Sequence, residues 1–300
     1  MDAYEAVIRF FTAEEQKEMR FFSSLHPTEI RIRTGRRGSV VCMSSEERFG
    51  NVTTPQSLMA LISRMLEHSV YAWEDELGQG YFTLPFGVRV GITGRFKREA
   101  EETRLVAPTS LLVRIAREVK GASEKIRHVL VRDNILRSTL ILSPPGMGKT
   151  TLLRDVCRML GEEGKNVSLV DERGEIAAVK NGQAQLDAGD RTDVCEGVFK
   201  SQAIMMLIRS MAPDVIVLDE IGSKGDAQAI YEASRMGVCV VASAHAQTME
   251  DALSRPMLSE IMKAGTFENI CILKGKPGNV DKIYVFSEGE WRLNSSQAGL

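Results

Sequence analysis

The sequence predicts an α/β core, a parallel sheet flanked by helices, that follows a smaller α+β domain. In the later part of the 300-residue chain, buried apolar runs alternate with helical segments, and each run ends in polar or small residues. One of these runs leads into a glycine-rich loop. The earlier part alternates apolar and polar residues in short segments around one helix. We therefore expect domains at residues 1–125 and 126–300, with KGASEK (120–125) as the linker.

The composition is that of a soluble globular protein, and it excludes several classes of function. The chain is 43% hydrophobic and 26% charged, with a formal net charge of −2. Neither half carries the basic excess of a dedicated nucleic-acid binder, so nucleic acid is not an expected partner. The five cysteines form no C-x-x-C pair, which argues against a zinc site or a disulfide framework.

Membrane and export signals are not apparent in the sequence. No apolar run approaches the roughly 20 residues of a membrane span. The first residues, MDAYEAVIRFF, are acidic before they are apolar, which is the reverse of a secretory signal. We therefore expect a cytoplasmic protein that reaches a membrane only through a partner.

Four segments define the first domain. EIRIRTGRRGSVV (29–41) predicts a hairpin with two glycines near its turn, and TPQSLMALISRMLEHSV (54–70) predicts a helix with Pro55 in its first turn. GYFTLPFGVRVGITGRF (80–96) and SLLVRIAREV (110–119) predict further strands. Together these segments indicate an α+β domain.

The second domain is predicted from four apolar runs: STLILS (138–143), NVSLVDE (166–172), DVIVLDE (214–220) and GVCVVASA (237–244). The first run leads through the glycine loop into the helical segment TLLRDVCRML (151–160). In a parallel sheet the carboxyl ends of all strands meet at one edge, and ligands bind there. We therefore looked for functional residues immediately after each run.

The loop SPPGMGKTT (143–151) differs by one residue from the phosphate-binding pattern G-x-x-x-x-G-K-[ST], because Ser143 replaces the first glycine. Pro144 restricts Ser143 to extended angles, which suit the end of a strand, so the substitution leaves the loop intact. Gly146 and Gly148 can adopt the open backbone angles that admit a phosphate. The alternative is an ordinary proline-glycine turn between a strand and a helix.

The phosphate-loop interpretation assigns ATP and Mg²⁺ as ligands. Lys149 would reach the β- and γ-phosphates, and Thr150 would ligate the metal. The predicted nucleotide-binding residues are Pro145, Gly146, Met147, Gly148, Lys149, Thr150 and Thr151.

Two carboxylates end the apolar run of MAPDVIVLDEIG. Asp219 would hold the hydration shell of Mg²⁺, and Glu220 would orient or deprotonate the attacking water. The alternative is that these acids cap a following helix, since acidic residues are common at helix N-termini. A phosphate loop in the same α/β unit favours the catalytic interpretation.

Two further clusters follow predicted strands. In LVDERGEIA, three acids, Asp171, Glu172 and Glu175, either face metal or water or belong to a solvated loop in which Arg173 pairs locally. In VVASAHAQT, His245 comes just after a strand end, beside the expected phosphates. The sequence leaves the division of roles among these acids and Glu220 open.

The ordered set SPPGMGKTT, DERGEI, LIRSMAPDVIVLDEIG and VVASAHAQT resembles the Walker A, Asp box, Walker B and His box of the type II/type IV secretion ATPases. PTEIRIRTGR, GYFTLPFGVRVGITGR, LLVRIARE, GDRTDVCEG and FENICIL are similar to the stage III sporulation branch of the endospore-forming bacteria. The resemblance covers most of residues 25–285. This sequence departs from the superfamily in Ser143, and in Asp219-Glu220 where Gly-Glu is frequent.

The resemblance implies a RecA-like P-loop ATPase core, an N-terminal domain and a hexameric ring of identical subunits. It implies that Lys149 and Thr150 bind nucleotide and that Glu220, with Glu175 and His245, acts in catalysis. It also implies a location at the inner face of the membrane on the mother-cell side. The partners would be membrane proteins of a channel to the forespore, although the transported substrate, the membrane partner and the ring size stay undetermined.

Three arginines of the first domain are candidates for catalysis between subunits. In GVRVGITGR, period-two alternation puts Val88, Val90 and Ile92 on one face and Arg89 and Arg95 on the other. The resembling ATPases place N-terminal arginines over a neighbour's nucleotide, which makes Arg95 the first candidate, with Arg89 and Arg114 beside it. The alternative is a solvated strand face.

Two other functions are compatible with the same core. A nucleic-acid-translocating or remodelling ATPase would need basic pore-facing loops and would be stimulated by DNA or RNA. A nucleotide-dependent scaffold would bind ATP and scarcely hydrolyse it.

Overall fold

The computed structural model describes residues 3–42, 44–66, 77–78, 80–99, 102–115, 119–180 and 182–294. It divides the chain into two compact units, Met1–Arg117 and Glu118–Leu300. The sequence put this boundary at 125/126. Residues 119–125 fall in the second unit, where Gly121 and Ser123 donate backbone N–H groups to the Asp155 carboxylate at 3.1 and 2.8 Å.

In its described residues the first unit contains one antiparallel sheet, the three α-helices given below and a short 3₁₀ helix, Ser23–Leu25. Its strands are β1 (Pro27–Arg33), β2 (Arg37–Cys42), β3 (Glu46–Val52), β4 (Tyr81–Leu84), β5 (Val88–Glu99) and β6 (Glu102–Arg114). Its helices are α1 (Ala3–Ile8), α2 (Ala13–Arg20) and α3 (Pro55–Met65). The strand order is β3-β2-β1-β6-β5-β4.

The predicted elements of the first unit are confirmed. The 29–41 hairpin is β1 and β2, with Gly35 at φ +77° in its turn. Helix α3 begins at Pro55 and buries Leu58, Leu61, Ile62 and Met65. Residues 67–70 and 116–118 of the predicted segments lie outside the described residues. Helices α1 and α2 were not predicted.

The second unit is built on a sheet of eight strands in the order β13-β10-β14-β15-β9-β16-β17-β18. The strands of this sheet are β9 (Thr139–Ser143), β10 (Val167–Asp171), β13 (Thr192–Glu196), β14 (Val215–Leu218), β15 (Cys239–His245), β16 (Asn269–Leu273), β17 (Val280–Ser287) and β18 (Glu290–Leu293). The first six strands in this order are mutually parallel, and β17 and β18 extend the sheet in antiparallel pairing.

Six helices and two small hairpins complete the described part of this unit. The helices are α4 (Glu124–Leu130), α5 (Lys149–Glu162), α6 (Lys200–Met211), α7 (Lys224–Arg235), α8 (Met249–Ser254) and α9 (Pro256–Lys263). The hairpins pair β7 (Val131–Arg132) with β8 (Ile135–Leu136) and β11 (Val179–Lys180) with β12 (Gln183–Ala184).

Both faces of the eight-stranded sheet are covered over its five central strands, which explains why β10, β14, β15, β9 and β16 are apolar and buried. Leu140 and Leu142 pack into one core with residues of α6 to α9, whereas Ile141 packs into a second core with residues of α4 and α5. The four predicted strands are confirmed as β9, β10, β14 and β15. Strand β15 lies between β9 and β14, so the segments that follow these three strands emerge side by side at one edge.

Candidate functional site

The loop between β9 and α5 has the backbone that the glycine pattern predicts. Gly146 and Gly148 have φ angles of +76° and +79°, a region that residues with a side chain rarely adopt. Gly148 is the residue that caps α5, so the first N–H groups of that helix face the loop. A Cβ atom at Gly148 would also lie 3.3 Å from the Gly278 nitrogen, which donates to the Met147 carbonyl at 2.9 Å.

Ser143 belongs to the sheet and not to the loop. It is the last residue of β9, is fully buried and pairs with His245 of β15. Its hydroxyl donates to the Pro144 carbonyl at 2.8 Å. The left-handed glycines begin only at Gly146, three residues later.

The ends of β14 and β15 supply the other polar groups of the site. Asp219 and Glu220 follow directly after β14, and His245 is the last residue of β15. The Ser243 hydroxyl donates to Asp219 Oδ1 at 3.1 Å and so fixes that carboxylate. Ser243 was not predicted as a site residue, because a serine inside an apolar strand has no distinguishing pattern.

Lys149, His245 and Glu220 form one chain of contacts. Lys149 Nζ lies 2.8 Å from His245 Nδ1, and His245 Nε2 lies 3.3 Å from Glu220 Oε2. An ammonium group has donors only, so Nδ1 must accept and the proton of a neutral imidazole is on Nε2, facing Glu220. The Ser143 carbonyl, 3.3 Å from Nδ1, then receives no hydrogen bond from this ring.

The environment of Lys149 is nearly closed to solvent, since the residue is 8% exposed. Burial lowers the pKa of its ammonium group, and the negative charges of Asp219 and Glu220 act in the opposite direction. The lysine is therefore a partly desolvated cation whose nearest compensating charges are two carboxylates. A bound anion would stabilise the charged form of this buried ammonium group.

Two of the three acids at the end of β10 and in the loop after it, Asp171 and Glu172, are engaged within the protein. Asp171 is 1% exposed and accepts N–H groups from Glu175, Ile176 and Ala177 at 2.8–2.9 Å. Glu172 pairs with Lys200 at the start of α6. The sequence left two alternatives for these acids, a set that faces metal or water and a solvated loop. Asp171 fits neither alternative, because it is buried and accepts hydrogen bonds from the backbone of its own loop.

Glu175 is half-buried, and its carbonyl accepts a hydrogen bond from Arg154 of α5 at 2.9 Å. Neither Arg154 nor Lys200 was predicted as a residue of the site. Arg154 could have been noticed as a charge inside the apolar stripe of TLLRDVCRML, whereas nothing in the sequence links Lys200 to Glu172.

The three candidate arginines of the first unit lie on its sheet. Val88, Val90 and Ile92 are buried together, as predicted, and Arg95 and Arg114 are exposed. Arg89 sits over the ring of Tyr81, 4.2 Å from its centroid.

The donor set fits a nucleotide and Mg²⁺. The open backbone at Gly146, the start of α5 and the buried ammonium of Lys149 suit a polyphosphate. Mg²⁺ prefers a few protein oxygens together with phosphates and waters. The hydroxyl of Thr150, half-buried in the first turn of α5, and the Asp219 carboxylate are oxygens of that kind.

Among the described residues, no helix combines the length and the apolar character needed to cross a bilayer.

Comparison with known proteins is consistent with this geometry. The family described as sporulation stage III, protein AA matches residues 7–290. Stage III sporulation protein AA of Bacillus subtilis (strain 168) is 37% identical over 265 residues, covering 85% of this chain and 86% of that protein.

Solved structures show the same fold at low identity. The Legionella pneumophila ATPase DotB superposes with a TM-score of 0.59 at 15% identity, over 85% of this chain and 74% of that one. The pilus retraction motor PilT, solved with bound ADP, gives a TM-score of 0.56 at 14% identity, over 85% and 76%. The fold is thus the RecA-like α/β fold of secretion ATPases, and the chain belongs to the sporulation stage III, protein AA family.

Proposed function

We propose that this protein is a Mg²⁺-dependent ATPase that powers assembly of, or transport through, a secretion-type membrane channel during sporulation. The observation that carries the proposal is the contact chain from Lys149 through His245 to Glu220, placed beside two left-handed glycines. Its family and the ATPases among its structural neighbours support the same function. ATP is the substrate, and Mg²⁺ would be held by Thr150 and Asp219.

Each residue of the site would have a different role in hydrolysis. The loop from Pro145 to Thr151 would bind the phosphates, and Lys149 would neutralise their charge. When bound, Mg²⁺ would supply further charge neutralisation. Glu220 would take a proton from the water whose oxygen attacks the γ-phosphorus as the bond to the ADP oxygen breaks. Glu175 is the second candidate for that role.

His245 has a defined part in this scheme. His245 Nδ1 accepts a hydrogen bond from Lys149, and a phosphate that draws the ammonium group toward itself would break this bond. The imidazole would then be left with Nε2 facing Glu220 and with Nδ1 able to take up a proton.

The finer parts of the proposal concern the assembly. We expect a hexameric ring in which Arg95 of one subunit contacts the nucleotide of its neighbour. We place the ring at the inner face of the membrane on the mother-cell side, bound to membrane proteins of the channel. Recovery of those membrane proteins with a hydrolysis-dead variant from sporulating cells would identify them.

The decisive experiment measures ATP turnover and ATP binding by the purified protein and its Glu220→Gln variant. Glutamine keeps the shape but cannot accept the proton, so turnover should fall about 100-fold or more while ATP stays bound. Glu260→Gln, an exposed glutamate on α9, is the matched control and should change neither quantity.

Three outcomes would contradict the proposal. Most of the turnover surviving in Glu220→Gln would transfer the role of base to Glu175. Wild-type protein that binds ATP without a single turnover would be a scaffold. Strong stimulation of turnover by DNA or RNA would instead favour a nucleic-acid motor.

A further inference from the structure

The loop after β10 is held by buried charges of opposite sign. The Asp171 carboxylate accepts the N–H groups of Glu175, Ile176 and Ala177 at 2.9, 2.9 and 2.8 Å. Arg154, which is 4% exposed, donates Nε to the Ile176 carbonyl at 2.5 Å and Nη2 to the Glu175 carbonyl at 2.9 Å. The peptide group before Glu175 is therefore held by the carboxylate, and the peptide group after it is held by both the carboxylate and the guanidinium.

Both charges are out of water, so each depends on its partners. A buried carboxylate is stable when several N–H groups point at it, and Asp171 has three. The planar fork of arginine matches two neighbouring carbonyls, which the single ammonium group of a lysine cannot do equally well. Gly174, at φ +63°, makes the tight turn that brings these groups to Asp171.

Both charges also lie near one buried thiol. Burial raises the pKa of Cys157 on α5, Asp171 raises it further, and Arg154 lowers it. This agrees with the hydrogen bonds in placing the carboxylate and the guanidinium at the same side of α5.

Arg154 belongs to the helix that carries the phosphate-facing lysine. Lys149 is the first residue of α5, and Arg154 lies five positions later, on the side that packs against β10. The glycine loop and the Glu175 backbone are thus attached to one rigid helix. Asp171 closes the turn, and the two hydrogen bonds of Arg154 tie it to α5.

We infer that Arg154 is a positioning residue which, together with Asp171, sets the backbone of Glu175 relative to Lys149 so that the Glu175 carboxylate can act in ATP hydrolysis. This inference rests on the proposed function. Within the DERGEI segment it assigns Asp171 to positioning and Glu175 to a catalytic role beside Glu220.

The test compares Arg154→Met and Arg154→Lys with the control Arg158→Met. Arg158 is on the same helix, pairs with Asp155 and Glu162, and makes no contact with the loop after β10 in the hydrogen bonds and ion pairs of the described chain. Three quantities are measured in each protein: amide hydrogen exchange at residues 174–177, ATP affinity by calorimetry, and kcat with KM.

In Arg154→Met, exchange of the Glu175, Ile176 and Ala177 amides should accelerate about tenfold or more. We expect kcat to fall at least about tenfold while ATP affinity stays within about threefold. Arg154→Lys should recover part of both losses, and it serves as the folded substitute if Arg154→Met does not fold. Arg158→Met should leave the exchange and kcat near wild type.

A double-substitution cycle separates positioning from general loosening. If Arg154 acts through Glu175, then Arg154→Met should reduce kcat little further in a Glu175→Gln background. Full additivity of the two losses would overturn the inference, as would unchanged exchange in Arg154→Met, or ATP affinity falling in parallel with kcat. A wild-type protein without turnover refutes the proposed function instead, and the exchange measurement still decides whether Arg154 holds the loop.

Discussion

The two sheets of this molecule arrange their charged residues differently. In the antiparallel sheet of the first unit, Arg89, Arg95 and Arg114 are distributed along β5 and β6. In the parallel sheet of the second unit, Glu220 and His245 come at strand ends and meet Lys149 at one edge. Parallel strands bring their carboxyl ends to one edge of a sheet, whereas the three arginines lie along paired antiparallel strands, with Arg89 opposite Arg114.

This difference bears on what each unit can do alone. The second unit gathers a lysine, a histidine and a glutamate within hydrogen-bonding distance by its topology. The exposed arginines of the first unit have no such edge, so a catalytic role for them requires that they meet a nucleotide bound elsewhere. The predictions below test this contrast, beginning with the largest expected effect.

Replacing Lys149 by alanine should have the largest effect. The variant loses the buried cation of the site, so ATP affinity should fall at least about 100-fold, or about 2.7 kcal/mol, with no measurable turnover. Calorimetric titration with ATP measures the affinity, and circular dichroism checks the fold. Lys263→Ala, an exposed lysine on α9, should bind ATP like the wild type. Equal affinity in the two variants would mean that the loop is an ordinary turn.

Replacing Arg95 by alanine tests whether the first unit contributes to catalysis. Turnover should fall at least about tenfold while ATP binding is unchanged, because an arginine finger acts on the charge of the transition state. Arg48→Ala, an exposed arginine on β3 of the same sheet, is the control. Mixing Arg95→Ala with Glu220→Gln protein should restore part of the activity, since some interfaces then combine both intact residues. Mixed rings no more active than the sum of their parts would rule out catalysis across the interface by Arg95.

Raising the pH should weaken ATP binding through Lys149. Burial places the pKa of this lysine below its ordinary value of about 10.4, and bound phosphates should raise it. Between these two pKa values the complex holds more protons than the free protein, so binding takes up a proton and affinity falls as pH rises. Calorimetry in two buffers of different ionisation enthalpy measures that uptake. Affinity that is constant up to the ordinary lysine pKa would contradict this assignment.

The smallest effect is expected for Ser143→Gly, which restores the consensus pattern. Ser143 ends β9 before the loop begins, so ATP affinity should change less than tenfold, or about 1.4 kcal/mol. Gly148→Ala is the contrasting variant, because its Cβ meets the Gly278 nitrogen and its φ is +79°. We expect a clear loss of affinity there. A larger effect in Ser143→Gly than in Gly148→Ala would mean that the loop is misplaced.

The sequence predicted the parts of the structure that depend on local pattern. Strands β9, β10, β14 and β15 were predicted as continuous apolar runs, which is what burial on both faces requires. Strands β13, β16, β17 and β18 were not, although NICIL of β16 is an apolar run buried at every position like those that were predicted. TDVCE of β13 is only partly buried at the edge of the sheet, and β17 and β18 are partly solvated, so their apolar pattern is weak.

The site was predicted as a set of strand ends but not as a network. Lys149 was identified from the glycine-loop pattern, and Glu220 and His245 from their positions after apolar runs; the structure brings the three together. The partners Arg154, Lys200 and Ser243 were missed because their importance comes from contacts between distant segments. Asp171 shows the same limit, since its pattern does not reveal that three amides of its own loop surround it.

The position of Ser143 has a consequence for recognising related proteins. Its backbone belongs to the sheet, and the loop proper starts later. The residue type at this position is therefore constrained by the strand geometry and by the proline that follows. A search that requires glycine there discards chains whose strand simply continues one residue further. A search for a buried strand, then two glycines separated by one residue, then lysine would retain them. The two glycines are the positions whose left-handed φ angles disfavour residues with a side chain.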